Sequence, residues 1–225
     1  MIYDISMIIL IPGFLFALYA QAKVSSNYKK YSSVHAQSGI SGAQFARRML
    51  NDNGLNNVSI VPISGKMSDH YDPQARQVRL SSEVFNGTSI ASLGIAAHEV
   101  GHAIQHATGY MPLQVRNVVV PVTNFSSNLY FPIILLGIFL NSQSMVGIGI
   151  ALFGVIVLFQ LITLPVEFNA SNRAYKTLEA DGVLVSDELV GVKRVLGAAA
   201  MTYVAALITA LSQLLQFLWV FNRDE

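Results

Sequence analysis

Residues 98–102 read His-Glu-Val-Gly-His, two imidazoles four positions apart with a carboxylate beside the first. On a helix, residues four apart lie almost above one another, so His98 and His102 project from one face and can share a metal ion. Glu99 is offset around the helix, placed to reach a water on that metal without being a ligand itself. Zinc lowers the pKa of a water it binds to about 7 and polarises a scissile carbonyl. A carboxylate at Glu99 takes the proton and later hands it to the leaving amine. Chance is a poor account of this spacing in a chain of 225 residues with five histidines. Ala96, Ala97, Gly101 and Ala103 make the helix too apolar to face only water, and small enough to pack closely against another element.

A catalytic zinc takes a third protein ligand and keeps one position open. His106 continues the ladder, but about 40° of drift per four residues carries it away from a shared metal, so it reads as a polar residue of its helix. The spacing that places a third histidine six residues after the second falls on Thr108. Glu167 directly follows an apolar run, where a carboxylate is costly unless it snorkels, pairs or binds a cation. Two readings stand side by side: a zinc ligand, or an interfacial carboxylate paired with Arg173 or Lys176.

The elements around these residues follow from turn and cap signals. Asn86-Gly87-Thr88-Ser89 starts a helix that runs to about Thr108 and stops at Gly109. Ser41 followed by Gln44 is a capping box for an earlier helix ending near Gly54. Residues 58–63 and 77–80 read as short strands, and 69–73 as a turn between them.

Composition sets the frame for these pieces. Hydrophobic residues make up 52% of the chain and charged residues only 12%; mean hydropathy is +0.47. Soluble domains carry about 25% charged residues, so the deficit points to a membrane. The net charge of +1 and the lack of a basic cluster argue against a nucleic-acid partner. There is no cysteine, so disulfides and thiolate zinc sites are excluded and any metal site is built from His, Asp and Glu.

Four apolar runs stand out, at 5–20, 118–140, 145–166 and 195–221, and each of the last three is long enough to span about 30 Å of hydrocarbon. The first resembles a signal peptide in position, yet no Lys or Arg precedes it and Asp4 does, which favours an uncleaved anchor. Asn124 and Asn128 within the second run are expected to hydrogen-bond between helices. If the spans alternate in direction, Lys23, Lys29, Lys30, Arg116, Arg173, Lys176, Lys193 and Arg194 fall on one side. Positive residues favour the cytoplasm, which places residues 23–117 and 167–194 there together. The expected organisation is an anchor at 1–22, a small α+β domain at 23–117, a transmembrane hairpin at 118–166, a helix carrying Glu167 at 167–194 and a final span at 195–225.

Four segments carry a resemblance: Ser68-Asp69-His70-Tyr71-Asp72-Pro73; Val78-Arg79-Leu80-Ser81; residues 96–105 around the two histidines; and Leu164-Pro165-Val166-Glu167-Phe168-Asn169-Ala170-Ser171. Together they resemble the YugP-type neutral zinc metallopeptidases of bacterial membranes, over nearly the whole chain. The resemblance implies a zinc-dependent peptidase in the bacterial cytoplasmic membrane, with His98, His102 and a downstream Glu, here Glu167, as ligands. A more distant similarity is to HtpX-like membrane proteases, whose third-ligand helix carries an acidic residue four positions after the Glu. This chain has Ser171 there, a weaker hydrogen-bonder for a zinc histidine. The same similarity suggests residues 78–81 as an edge along which a substrate strand is added. His70, Tyr71 and Arg173 are candidates for stabilising the oxyanion.

The expected molecule is thus a mainly α membrane protein with about four transmembrane helices and a zincin-like domain around the His98–His102 helix. It would be a gluzincin-like metalloendopeptidase with one Zn2+ per chain, acting on protein or peptide substrates at the cytoplasmic face. The alternative is a zinc-stabilised adaptor without activity, against which the intact Glu99 argues. A metal transporter is disfavoured because the apolar runs lack His, Asp and Glu. Sites of two His and one Glu accept several divalent ions, with zinc the default. Substrate identity and oligomeric state are not written in these patterns.

Overall fold

A computed structural model describes residues 5–223. Eight helices and three strands follow in the order α1 (Ile5–Ile8), α2 (Leu10–Ser32), α3 (Gly42–Asp52), β1 (Ser59–Ile63), β2 (His70–Asp72), β3 (Gln77–Ser81), α4 (Ser82–Asn86), α5 (Ile90–Ala107), α6 (Met111–Phe139), α7 (Gln143–Ala180) and α8 (Ser186–Arg223). The protein is mainly helical with one small sheet. Among the described residues, three helices are long and apolar enough to cross a membrane: α6, α7 and α8. The first apolar run, expected as a fourth span, is divided between α1 and the start of α2.

The chain divides into two compact units. One comprises the described residues up to Gln21, Gln114–Pro165 and those from Met201 on. Its interior is thin, centred on Phe153, Val157 and Ala210. Phe125, Phe131, Leu135, Ile138, Leu161 and Trp219 are exposed instead. Large outward apolar surface of this kind is rare on monomeric soluble proteins. Asn124 and Asn128 are exposed on α6, and no hydrogen bond between helices forms through them among the described residues. Polar groups on α6 are satisfied within the helix instead, as where the Thr123 hydroxyl donates to the Val119 carbonyl.

The second unit comprises Ala22–Leu113 and Val166–Ala200. Its helix α3 begins at the Ser41 cap. Gln44 N–H donates to the Ser41 hydroxyl and Ser41 N–H donates to the Gln44 side chain. Phe45, Ala46, Met49 and Leu50, spaced i, i+1, i+4, i+5, form its buried stripe. That stripe packs with Val78 and Leu80 of β3 and with Leu93, Ala96, Ala97 and Val100 of α5. From the C-terminal half of α7, Ala174 and Leu178 join the same core. Helix α5 starts at Ser89, whose hydroxyl accepts from Ser92 N–H, and ends before Gly109 at φ 63°.

The sheet order is β1-β3-β2, with β1 parallel and β2 antiparallel to β3. Two sequence expectations change here. The segment 69–73 is not purely a turn: His70–Asp72 is strand β2, and the reversal follows it, with Asp72 Oδ1 accepting from Gln74 and Ala75 N–H. Residues 78–81 are not an open edge throughout either, because Gln77–Arg79 of β3 are paired on both sides and only Leu80 and Ser81 have β1 as their single strand partner. A short strand flanked by Asp and Pro carries strong turn signals of its own, and pairing order depends on distant partners that local pattern does not encode.

Candidate metal centre

All groups of the centre lie in the second unit, on α5 and on the part of α7 that follows Pro165. His98, Glu99 and His102 are in the middle of α5, where cap to cap the helix is fixed and almost entirely buried. The two imidazoles face one way, with ring centroids 4.7 Å apart and planes at 85°. Helix α7 continues without a break past Pro165, and Val166 and Glu167 are both buried on it.

Close approach of the two helices brings the third group in. A Cβ added to Gly101 would lie 2.8 Å from the Ala170 carbonyl oxygen and 3.2 Å from its Cα. Only a residue without that carbon lets α5 and α7 meet so closely. Glu167 Oε2 then stands 3.3 Å from His98 Nε2 and 3.5 Å from His102 Nε2. The ligand atoms of His98, His102 and Glu167 all lie within 4.8 Å of one another.

Two imidazole nitrogens and one carboxylate oxygen are the donor set of a catalytic zinc with a fourth position open. In tetrahedral coordination with bonds of about 2.0–2.2 Å, ligand atoms stand about 3.3–3.6 Å apart. The two distances from Glu167 fall in that range, so the residues fit the ion. Both remaining ring nitrogens are engaged. His98 Nδ1 is 3.1 Å from the Ser171 hydroxyl, and His102 Nδ1 is 2.9 Å from Gln105 Oε1. Gln105 Nε2 donates to the Val166 carbonyl at 2.8 Å and to Asn169 Oδ1 at 3.0 Å. Arg173 Nε donates to the same Asn169 oxygen at 2.8 Å.

Burial shapes the charges. Burial pushes the Glu99 carboxyl up from its ordinary value, with the His98 and His102 charges opposing and those of Glu167 and Asp69 adding. Burial pulls the His102 imidazole down, but its hydrogen bond to Glu167 and the Glu99 charge outweigh this and raise it. Asp69, next to β2, is also raised by burial, against the pull of its bonds from Ser81 N–H at 2.7 Å and the Ser81 hydroxyl at 3.2 Å.

The sequence candidates separate cleanly. His98, His102 and Glu167 converge, and Glu99 is buried beside them. Arg173 pairs with Asn169 and not in the arrangement that would have made Glu167 an interfacial ion pair. His106 is exposed and stands away from the cluster, with Nδ1 2.8 Å from the Tyr71 hydroxyl. His70 Nδ1 is engaged by the Ser68 carbonyl at 2.8 Å. The three oxyanion candidates, His70, Tyr71 and Arg173, are thus engaged by Ser68, His106 and Asn169. Gln105 and Asn169 were missed as partners of the centre. A clue was present: Gln105 follows His102 by three positions, on the same face of an otherwise apolar helix.

Fold and site together define a helical protein in which two histidines of the buried helix α5 meet one glutamate of α7. Residues 6–222 match the family described as "Putative neutral zinc metallopeptidase", and the chain belongs to that family. It is 49% identical over 211 residues to the "Putative membrane protease YugP" of Bacillus subtilis (strain 168), covering 93% of this chain and 94% of that protein. No solved structure matches the chain.

Proposed function

We propose that the chain is a membrane-embedded zinc metalloendopeptidase with His98, His102 and Glu167 as ligands of one zinc and Glu99 as general base. The observation carrying this reading is the convergence of His98 Nε2, His102 Nε2 and Glu167 Oε2 beside a buried Glu99. Zinc, when bound, supplies a Lewis acid for the scissile carbonyl and makes a water acidic enough to attack near neutral pH.

The rest falls to the chain. Glu99 takes the proton of the attacking water and returns it to the leaving amine, and its burial raises its affinity for that proton. His98 and His102 are held through their Nδ1 atoms, so neither imidazole has to be ordered when substrate arrives. An extended peptide backbone adds along β2, an edge strand tied to α5 by the contact of Tyr71 with His106. The membrane reading rests on the three apolar helices and their exposed apolar side chains. Four spans with the centre at the cytoplasmic face best accommodate the distribution of Lys and Arg.

The test is cleavage of an unfolded protein such as casein by the detergent-purified chain. Loss of cleavage with a chelator and its return on adding zinc are expected. Cleavage that persists after the metal has been stripped contradicts the reading.

A further inference from the structure

We infer that Gln105 is a positioning residue that fixes which ring nitrogen of His102 faces the metal, and that it takes this setting from the backbone beside Glu167. The inference rests on the zinc reading above. Nitrogen and oxygen of a carboxamide have nearly the same outline, so only their partners assign them. Here one partner is unambiguous. The Val166 carbonyl can only accept, so the Gln105 atom 2.8 Å from it is the NH2 group. The Gln105 oxygen is thereby turned toward His102 Nδ1, 2.9 Å away, and an amide oxygen can only accept. His102 therefore carries a hydrogen on Nδ1, and the nitrogen left to give up its proton to a metal is Nε2, the atom 3.5 Å from Glu167 Oε2.

Asn169 confirms the direction from the other end. Arg173 Nε can only donate, so the Asn169 atom 2.8 Å from it is the oxygen, and that oxygen also accepts from Gln105 Nε2 at 3.0 Å. A reversed Gln105 would set carbonyl against carbonyl at Val166 and oxygen against oxygen at Asn169. Gln105 is fully buried, so water does not offer it another arrangement. His98 has no such lock, because the Ser171 hydroxyl both donates and accepts. Since Val166 immediately precedes Glu167, one amide sets the imidazole of one ligand and ties it to the backbone of another. Seating of α7 and readiness of His102 become a single event.

This arrangement makes an unusual demand. Carboxylates commonly back zinc histidines, and a Glu at position 105 gives His102 a stronger acceptor than the amide does. It has no hydrogen for the Val166 carbonyl. The experiment is zinc affinity by chelator competition, at a pH well above the carboxylate range, on detergent-purified full-length wild type, Gln105→Glu, Asn169→Asp and Asn169→Leu. Melting temperatures of the metal-free forms are recorded beside it. Gln105→Glu is expected to bind zinc about ten- to a hundredfold more weakly. Asn169→Asp, which still accepts from both Gln105 and Arg173, is expected to bind like wild type, and Asn169→Leu more weakly than Asn169→Asp.

Gln105→Glu with wild-type or tighter zinc binding overturns the inference, since an acceptor alone then suffices. Equal affinity of Asn169→Leu and Asn169→Asp also overturns it, and remains decisive if Gln105→Glu melts early. A wild type that binds no zinc overturns the metal reading and this inference with it; a zinc-binding wild type with an indifferent Gln105→Glu overturns the inference alone.

Discussion

Gly101 of α5 lies against the backbone of Ala170 of α7 so closely that an added Cβ would stand 2.8 Å from the Ala170 carbonyl oxygen. That contact sits between His98 and His102 on one helix and three residues past Glu167 on the other. It sets how near the carboxylate comes to the imidazoles.

Gly101→Ala is therefore a test of helix spacing. Removing a mid-helix glycine ordinarily gains about 0.5–1 kcal/mol. Overpacking against rigid backbone costs about 1–3 kcal/mol, so overpacking wins and the helices part. The expected result is a lower melting temperature together with weaker zinc binding. A variant that melts higher and holds zinc as tightly contradicts the packing account.

Glu167→Ala addresses the third ligand. The remaining two imidazoles leave zinc short of a protein donor, and the buried carboxylate partner of both histidines is gone. Zinc dialysed against a weak chelator is expected to be lost from the variant and kept by the wild type. Equal retention places the third ligand elsewhere.

Asp69 supplies a pH dependence that lies outside the metal ligands. Its carboxyl is raised by burial, so the folded chain holds a proton there at pH values where the unfolded chain, near 3.9, has already released it. Through that window the folded state binds more protons, and stability from this group falls as pH rises through the folded value. Asp69→Asn removes the slope while leaving an oxygen for Ser81 N–H. Relative to wild type, the variant's melting temperature is expected to rise with pH from about 4 upward through the titration. A difference that stays flat or falls with pH counts against buried Asp69.

Much of this was legible in the sequence, for identifiable reasons. The His98–His102 helix and α3 announce themselves through period and caps, since Ser89, Ser41 and Gly109 each occupy the cap or stop position expected of them. Those signals are local. Glu167 was only half legible, because a carboxylate after an apolar run suits an ion pair or a metal equally well; in the fold Arg173 donates to Asn169 while Glu167 Oε2 lies beside the two imidazoles. Ser171 was readable as a partner for a zinc histidine and is found 3.1 Å from His98 Nδ1. The order of the sheet was not legible, nor the strand hidden at His70–Asp72, because both are decided by pairing across the sheet. Asn124 and Asn128 suggested bonds between helices, yet they point outward. Gln105 becomes meaningful only once Val166 is known to lie beside it.

The central claim is tested most directly by metal content and casein cleavage measured together on detergent-purified wild type and Glu99→Gln. The account predicts about one zinc per chain in both proteins, with cleavage reduced about a hundred- to ten-thousandfold in the variant alone. Cleavage by Glu99→Gln at the wild-type rate, or the absence of metal from both proteins, contradicts it.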